Sequence, residues 1–265
     1  MLRYSNFEFN VYMRIDILTL FPGMFDSFFS HSILKRAIEK KKISVGVHNL
    51  RDFTHDRHKT CDDKPFGGGP GMLMKPEPIF EAYDKLFGKK AKKRASGFRF
   101  IYMTPQGAPF MQSTARKLSK ARHLAVLCGH YEGVDQRVID KLVTDEISIG
   151  DYVLTGGEIP AMVVVDAVAR LVPGVLGREE SKEFESFCRN LLEYPQYTRP
   201  SIYRGLKVPS ILLSGHHKEI ELWRREAALK ITKKRRPELL RKGERNASGD
   251  QAVGAGTGQK GHPGF

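Results

Sequence analysis

The sequence predicts an α/β protein, with a main domain built on a parallel sheet followed by a small, basic helical domain. Three observations carry this expectation. Short apolar runs at residues 14–21, 43–50, 98–103, 123–128 and 147–155 alternate with segments of helical spacing, the arrangement in which helices cover a parallel sheet. The last three runs lead into turns rich in glycine or proline, TPQG, GHYEG and IGDYVLTGGEIP, and the carboxyl ends of parallel strands are where ligands bind. Past residue 177 the composition changes to a charged stretch, REESKEFESFCRN, and then to a turn-rich, basic segment.

In chain order, RIDILTLF at residues 14–21 reads as a buried strand closed by Pro22 and Gly23, and residues 24–42 have helical spacing with a basic end that suits the helix dipole. A second strand at 43–50 opens into RDFTHDRHKTCDDKPFGGGPGM, residues 51–72, too long and too rich in glycine for a passive connection. A helix follows at 76–86, then a basic surface loop at 88–97 whose plain reading is solvated charge. The strands at 98–103, 123–128 and 147–155 bring three loops to one edge of the sheet. AMVVVDAVAR, residues 161–170, is apolar apart from one acid and one base and reads as a helix packed on that sheet. Farther on, residues 194–209 are turn-rich, 218–232 form an amphipathic helix with the only tryptophan, and 233–236 are a basic cluster. The expected divisions are an extension at 1–12 ahead of Met13, a main domain at 13–176, a linker at 177–194, a helical domain at 195–242 and a glycine-rich disordered tail at 243–265.

Lys and Arg outnumber Asp and Glu by 44 to 30, giving a formal charge of +14, so a polyanionic partner is expected, nucleic acid ahead of an anionic membrane. No apolar run reaches the length of a membrane span, and the first twelve residues lack the apolar core of a signal peptide, so no membrane role is expected. The cysteines, Cys61, Cys128 and Cys188, are odd in number and far apart; they give no disulfide framework and suit a reducing, cytoplasmic setting.

Several motifs carry possible chemistry. FGGGPG at residues 66–71 lacks the Lys-Ser/Thr that ends a phosphate loop and lacks the dinucleotide spacing. His55, His58 and Cys61 have a spacing that could hold a metal, with Asp62 and Asp63 nearby, but no fourth ligand is evident. Side chains that shape the loop or touch substrate are the favoured reading, and no metal site is assigned. Asp166 and Arg170 stand four residues apart, where an intrahelical ion pair is the plain account. Arg170 also ends an apolar helix, so its guanidinium is expected to be partly buried and in need of a fixed anionic partner or a ligand.

At this point the blocks MRIDILTLFP, RDFTHDRHKTCDDKPFGGGPGMLM, TPQG, CGHYEGVDQRV, DEISIGDYVLTGGEIPAMVVVDAVARLVPGVLG, YPQYTRP, SGHHKEIELWR and RRPELL together resemble the bacterial tRNA guanine N1-methyltransferases of the TrmD family. The resemblance runs in order from about Met13 to Leu240. It implies a knotted methyltransferase of the SPOUT class, with a deep trefoil knot in the carboxyl half of the main domain, working as a homodimer with active sites at the subunit interface. It further implies that S-adenosyl-L-methionine lies, in a bent form, against three loops. The first contributes Tyr102, Met103, Thr104 and Pro105, and the second Gly129, Tyr131 and Glu132. The third contributes Ser148, Ile149, Gly150, Asp151, Tyr152, Val153, Leu154, Gly156, Gly157 and Pro160, the glycines letting the ligand lie against backbone.

The implied substrate is tRNA with guanosine immediately 3′ of the anticodon, at position 37, preceded by another guanosine, with His58, Asp62, Pro70 and Gly71 helping to shape the guanine pocket. Lys218, Arg224, Arg225 and residues 233–236 are candidate phosphate contacts. Magnesium accompanies the family reaction, without a dedicated site legible here. N1 of guanine carries a proton at neutral pH, and its removal moves charge onto O6, so the reaction requires a base near N1 and a cation or donor near O6. Arg170 matches the family's O6-stabilising arginine. The family's base is an aspartate in a stretch resembling EDSF; here Phe184, Glu185, Ser186 and Phe187 align with it, so Glu185 takes the base position, with Glu180 or Glu183 as rival carboxylates. The same exchange of acids recurs at Glu193. After RRPELL the chain passes quickly into the glycine-rich tail, so the family's last helix is expected to be missing or replaced. Two other readings stay open: a knotted methyltransferase acting on a ribose hydroxyl or another base, and a noncatalytic RNA-binding protein.

Overall fold

Every position of the first strand, β1 (Met13–Thr19), is buried except Arg14, as expected of a strand covered on both faces. The computed structural model describes residues 13–89, 97–176 and 185–240. These fall into two units that divide between residues 177 and 178.

In the first unit, a 3-10 turn (Pro22–Phe25), α1 (Asp26–Phe29) and α2 (Ser32–Glu39) lie between β1 and β2 (Ile43–Asn49), where helical spacing predicts one helix over 24–42. The break comes at Ser30 and His31. Ser30 Oγ donates to the Ser27 carbonyl at 3.1 Å, His31 Nδ1 lies 3.0 Å from the same oxygen, and Ser32 takes a left-handed φ of 54°. Short polar side chains that bond their own backbone compete with the helical ladder.

The long loop is tied down by β3 (Asp62–Asp63) pairing antiparallel with β4 (Leu73–Met74), and α3 (Pro76–Phe87) follows. The remaining elements are β5 (Phe98–Pro109), α4 (Gln112–Leu118), β6 (His123–Cys128), α5 (Gln136–Leu142), β7 (Asp145–Ser148) and α6 (Glu158–Ala169). The five long strands form one parallel sheet in the order β2-β1-β6-β5-β7. Alternation along the strands divides the core in two. Ile15, Ile17, Ile101, Val126 and Ile147 pack with Leu34, Ala115, Leu118, Val164 and Val168 on one side. Leu18, Phe100, Tyr102, Ala125 and Leu127 pack with Ile79, Tyr83, Val138 and Leu142 on the other. Each such large side chain contributes about 1.5–3 kcal/mol of burial.

At the amino end of β6 the sheet buries a charge. Asp16 is 1% exposed and receives hydrogen bonds from Arg14 Nε, His48 Nε2 and His123 Nε2, each at 2.6 Å. An ionised carboxylate only accepts, so both imidazoles carry their proton on Nε2. Burial pushes the Asp16 carboxyl up, but the bonds from His123, His48 and Arg14 outweigh it and hold the group far below the usual carboxylate range. Gly46 makes room for this arrangement, since a Cβ there would sit 2.6 Å from Asp16 Oδ1 and 2.8 Å from His48 Nε2.

The second unit holds a 3-10 turn (Cys188–Asn190), a hairpin of β8 (Ile202–Tyr203) and β9 (Leu206–Lys207), a further 3-10 turn (Ser210–Leu213) and α7 (His217–Arg235), which extends the expected helix at both ends. Thr232 Oγ1 donates to the Ala228 carbonyl at 2.7 Å and accepts from the Leu192 amide at 2.8 Å, fastening α7 to the segment that follows the first turn. Among the described residues, no helix is long and apolar enough to cross a membrane. The expected extension at 1–12 and tail at 243–265 lie outside the described residues.

Candidate active site

A bulge within β5 and the carboxyl ends of β6 and β7 open into a cavity of about 370 Å³. Local backbone explains how each loop reaches it. TPQG predicts a turn after Met103, but β5 continues to Pro109 through a bulge, and Ala108 pairs again with Ile147 of β7. Gly107 permits this close passage: a Cβ there would lie 2.4 Å from the Ile147 amide nitrogen. The strand predicted over 147–155 ends at Ser148, where Gly150 takes a φ of 150° and its amide bonds back to Ser148 Oγ at 3.2 Å, turning the chain out of the sheet.

Of the residues expected along the three loops, Tyr102, Met103, Thr104, Pro105, Gly129, Tyr131, Glu132, Ser148, Ile149, Gly150, Tyr152, Val153, Leu154, Gly156, Gly157 and Pro160 all line this cavity. Asp151 does not; it is exposed. The glycines also answer to the protein itself. A Cβ on Gly157 would meet Cys128 Cα and the Gly129 nitrogen, both at 2.7 Å, and Gly157 donates to the Gly129 carbonyl at 2.8 Å. The start of α6 therefore lies directly on the end of β6, closer than any side chain permits.

His58, Asp62, Pro70 and Gly71 lie outside the cavity lining. Two contacts nonetheless join their loop to the cavity wall. Burial, and then the charge of nearby Asp62, push the Tyr131 phenol up, and Gly71 passes so near Glu132 that a Cβ would sit 2.3 Å from its Cγ. The Glu132 amide donates to the Met72 carbonyl at 3.0 Å, so Tyr131 and Glu132 form a wall shared by the long loop and the cavity. Pro70 is exposed, and the His58 amide caps Asp56 at 3.1 Å. The His-His-Cys spacing does not converge: His55 bonds Glu81 at 2.6 Å, while burial pushes the Cys61 thiol up and away from thiolate chemistry. Among the described residues, no group of three or more His, Cys, Asp or Glu is arranged to hold a metal.

Burial keeps Tyr102 protonated, pushing its phenol up more than its hydrogen bonds to Thr104 and the Val134 backbone pull it down. Burial likewise holds Cys128 as a thiol, well above its usual value, with the Glu158 charge adding to the effect. Sequence reasoning misses several polar groups here, Gln106, Gln136 and Thr155 of the lining among them, and two stand out. Glu158, 3% exposed in the first turn of α6, accepts from Thr19 Oγ1 at 2.7 Å. His130 lines the cavity between the rings of Phe21 and Tyr131, at 4.9 and 4.7 Å, and its Nδ1 is buried without a hydrogen-bond partner. Leu73 and Ile139 also join the lining, and only their apolar character hinted at it.

Arg170 caps the carboxyl end of α6 and is partly buried. The inner face of this helix, Ala161, Val164, Val165 and Val168, is buried, while Ile159 and Val163 are 50% and 43% exposed in line with Asp166 and Arg170. Glu185 belongs to the second unit and is partly buried, ahead of a tight turn in which Phe187, Arg189 and Asn190 all take left-handed φ. Each non-glycine residue so placed costs about 1–2 kcal/mol, less for Asn. Ser186 Oγ accepts from the Glu193 amide at 3.1 Å, linking the neighbourhoods of the two exchanged acids. The rival carboxylates Glu180 and Glu183 lie outside the described residues. Of the candidate phosphate contacts, Lys218, Arg225, Lys233, Lys234 and Arg235 are exposed, whereas Arg224 and Arg236 stack over Tyr194 and Phe187, at 5.1 and 5.9 Å.

Comparison with known proteins adds to this geometry. The family model described as tRNA (Guanine-1)-methyltransferase TrmD matches residues 13–242. A protein of Desulforamulus reducens is 58% identical over 229 residues, 86% of this chain and 89% of its own. One of Clostridioides difficile is 54% identical over 230 residues, covering 87% and 98%, and one of Pelotomaculum thermopropionicum is 58% identical over 229 residues, covering 86% and 90%. All three carry the name tRNA (guanine-N(1)-)-methyltransferase.

Proposed function

The chain belongs to the TrmD family of tRNA (guanine-N1)-methyltransferases, and from that premise we propose that it methylates N1 of the guanosine immediately 3′ of the anticodon, with Glu185 as base and Arg170 opposite O6. The observation that carries this reading is the convergence of the β5 bulge and the ends of β6 and β7 on one cavity, with residues from all three in its wall. The cavity suits S-adenosyl-L-methionine: its walls expose backbone at Gly129 and Gly157, and the buried His130 Nδ1 has a hydrogen-bonding position still open. Bound there, the group supplies a methyl already activated on a sulfonium.

The protein's own residues supply the rest. His58, Asp62, Pro70 and Gly71 help to seat the guanine, and the wall formed by Tyr131 and Glu132 couples that seat to the cavity. Glu185 takes the N1 proton, leaving the N1 electron pair free to form the new bond to carbon. The charge that appears on O6 is met by the Arg170 guanidinium, whose permanent charge and forked donors suit an oxyanion. Glutamate is one methylene longer than the family's aspartate, so the strained turn after Glu185 must set the backbone back by about one bond for the carboxylate to reach N1.

A homodimer and a knotted carboxyl half belong to the same proposal. The outward apolar row of α6, with Val153 at 87% and Met24 at 46% exposure, supports a face covered by a second copy. The passage of Gly107 against Ile147 and of Gly157 against Cys128 supports the close threading that a knot demands.

The test is single-turnover methyl transfer to an unmodified tRNA transcript, comparing wild type with Glu185→Gln. A loss of about a hundredfold with tRNA and methyl donor still bound is expected of a general base. A near-normal rate would move the base elsewhere in the chain, and no transfer by the wild type would favour a noncatalytic RNA-binding protein.

A further inference from the structure

The second unit contains a cavity and a surface that the catalytic proposal leaves unused. Residues 194–214, YPQYTRPSIYRGLKVPSILLS, contain three cations, Arg199, Arg204 and Lys207, three tyrosines and no acid. The β8–β9 hairpin at their centre turns on Arg204 and Gly205, with φ of 50° and 79°, the left-handed pair that a two-residue hairpin requires. That turn carries Arg204 at the tip, with its guanidinium 5.4 Å over the Tyr203 ring. At the foot of the hairpin, where the Val208 amide bonds the Ser201 carbonyl at 3.0 Å, lies an open cavity of about 500 Å³. Its lining joins Tyr197 and Arg199 to the hydroxyls of Thr198 and Ser201 and to apolar Leu212 and Leu213.

The exposure here runs against ordinary surface chemistry. Tyr197 is 49% exposed, Tyr203 60% and Leu206 76%. Exposed rings interleaved with cations form the arrangement that holds single-stranded nucleic acid, bases stacking on the rings while cations follow the phosphates. The absence of any acid over this stretch matches a polyanion. A protein partner would be served by the apolar side chains alone and gives no reason for cations without acids.

We propose that this cavity and hairpin form a second nucleotide-binding site, taking an unstacked tRNA base other than the one methylated. The base stacks on Tyr197 with its phosphate on Arg199, and the neighbouring nucleotide lies along Tyr203, Arg204 and Lys207. The inference rests on tRNA being the substrate, and it adds a contact that reads an unpaired base rather than backbone charge alone.

The experiment measures binding of the full chain to an unmodified tRNA transcript over a range of salt, with no methyl donor added. Tyr197→Ala and Tyr203→Ala each weaken binding about tenfold, the scale of one lost base stack, while Tyr197→Phe, which keeps the ring, stays within about twofold of wild type. Arg204→Ala lowers the slope of log affinity against log salt by about one. Thermal melts of the variants match the wild type, since these side chains are exposed. Unchanged binding by both alanine variants, or no rescue by Tyr197→Phe, overturns the inference while leaving the substrate reading intact. A drop in the mass of the sedimenting particle in the tyrosine variants, without tRNA present, overturns it in favour of a protein interface. A wild type that binds no tRNA overturns the substrate reading itself.

Discussion

The two ends of the parallel sheet each bury an acid near a histidine, and they differ in what is left over. At the amino end, Asp16 is matched by Arg14, His48 and His123, with both carboxylate oxygens engaged. At the carboxyl end, Glu158 is held by Thr19, while His130 Nδ1 stays buried and unpartnered in the cavity wall. Saturated polar clusters fix a fold; an open valence in a cavity is a place for a ligand. The same residue types thus separate stability from binding by whether their hydrogen bonds are complete.

The largest expected effect breaks the saturated end. Asp16→Asn should cost about 3 kcal/mol at pH 7, the low end for a broken buried ion pair because its partners are partly exposed, with donor binding by the folded protein unchanged. The pH dependence follows from the sign of the shift. The folded carboxyl lies far below its ordinary value of 3.8, so its contribution is complete above that pH and is lost as pH falls below it. The gap between wild type and Asp16→Asn in urea melts should therefore narrow on acidification below about pH 4; a gap independent of pH would remove the charge from the argument.

Gly157→Ala should follow, costing about 1–3 kcal/mol because its Cβ meets backbone rather than a flexible side chain. Here melting temperature and donor affinity should fall together, and a loss in only one of them would show that the contact of α6 with β6 does not shape the cavity. His130→Phe sharpens the contrast with the smallest effect. It keeps the edge-on contact with Phe21 and loses no protein hydrogen bond, so stability should stay within about 0.5 kcal/mol, whereas donor affinity by calorimetry should fall about threefold to tenfold for one hydrogen bond. Equal losses of stability and affinity would make His130 a packing residue.

The contrast also marks where the sequence can be read. Strand β6 is legible as a continuous apolar run, β1 and β2 are legible from aliphatic side chains at alternate positions, and the three cavity loops are legible from their glycines and proline. The reason for those glycines was only half legible: approach of a ligand to the backbone is inferable, but the collision of a Gly157 Cβ with Cys128 depends on how α6 lands on β6. The Asp16 cluster and the Thr19–Glu158 bond were out of reach because their partners lie 32, 107 and 139 residues apart, and no local pattern encodes such meetings. The break at Ser30 was legible in kind, a serine-histidine-serine run, but helical spacing on both sides outweighed it. The continuation of β5 through TPQG was hidden because proline and glycine announce a turn, whereas here they shape a bulge within a strand.

Thr232 has a consequence for the order of events. By bonding Leu192 it locks the basic helix α7 and the loop that carries Glu185 into one body. If RNA docks on that helix, the proposed base arrives with it, as a key is carried on the same ring as its tag. The grip on the RNA and the footing of the proposed base are then one piece of architecture, and loosening Thr232 would disturb both at once.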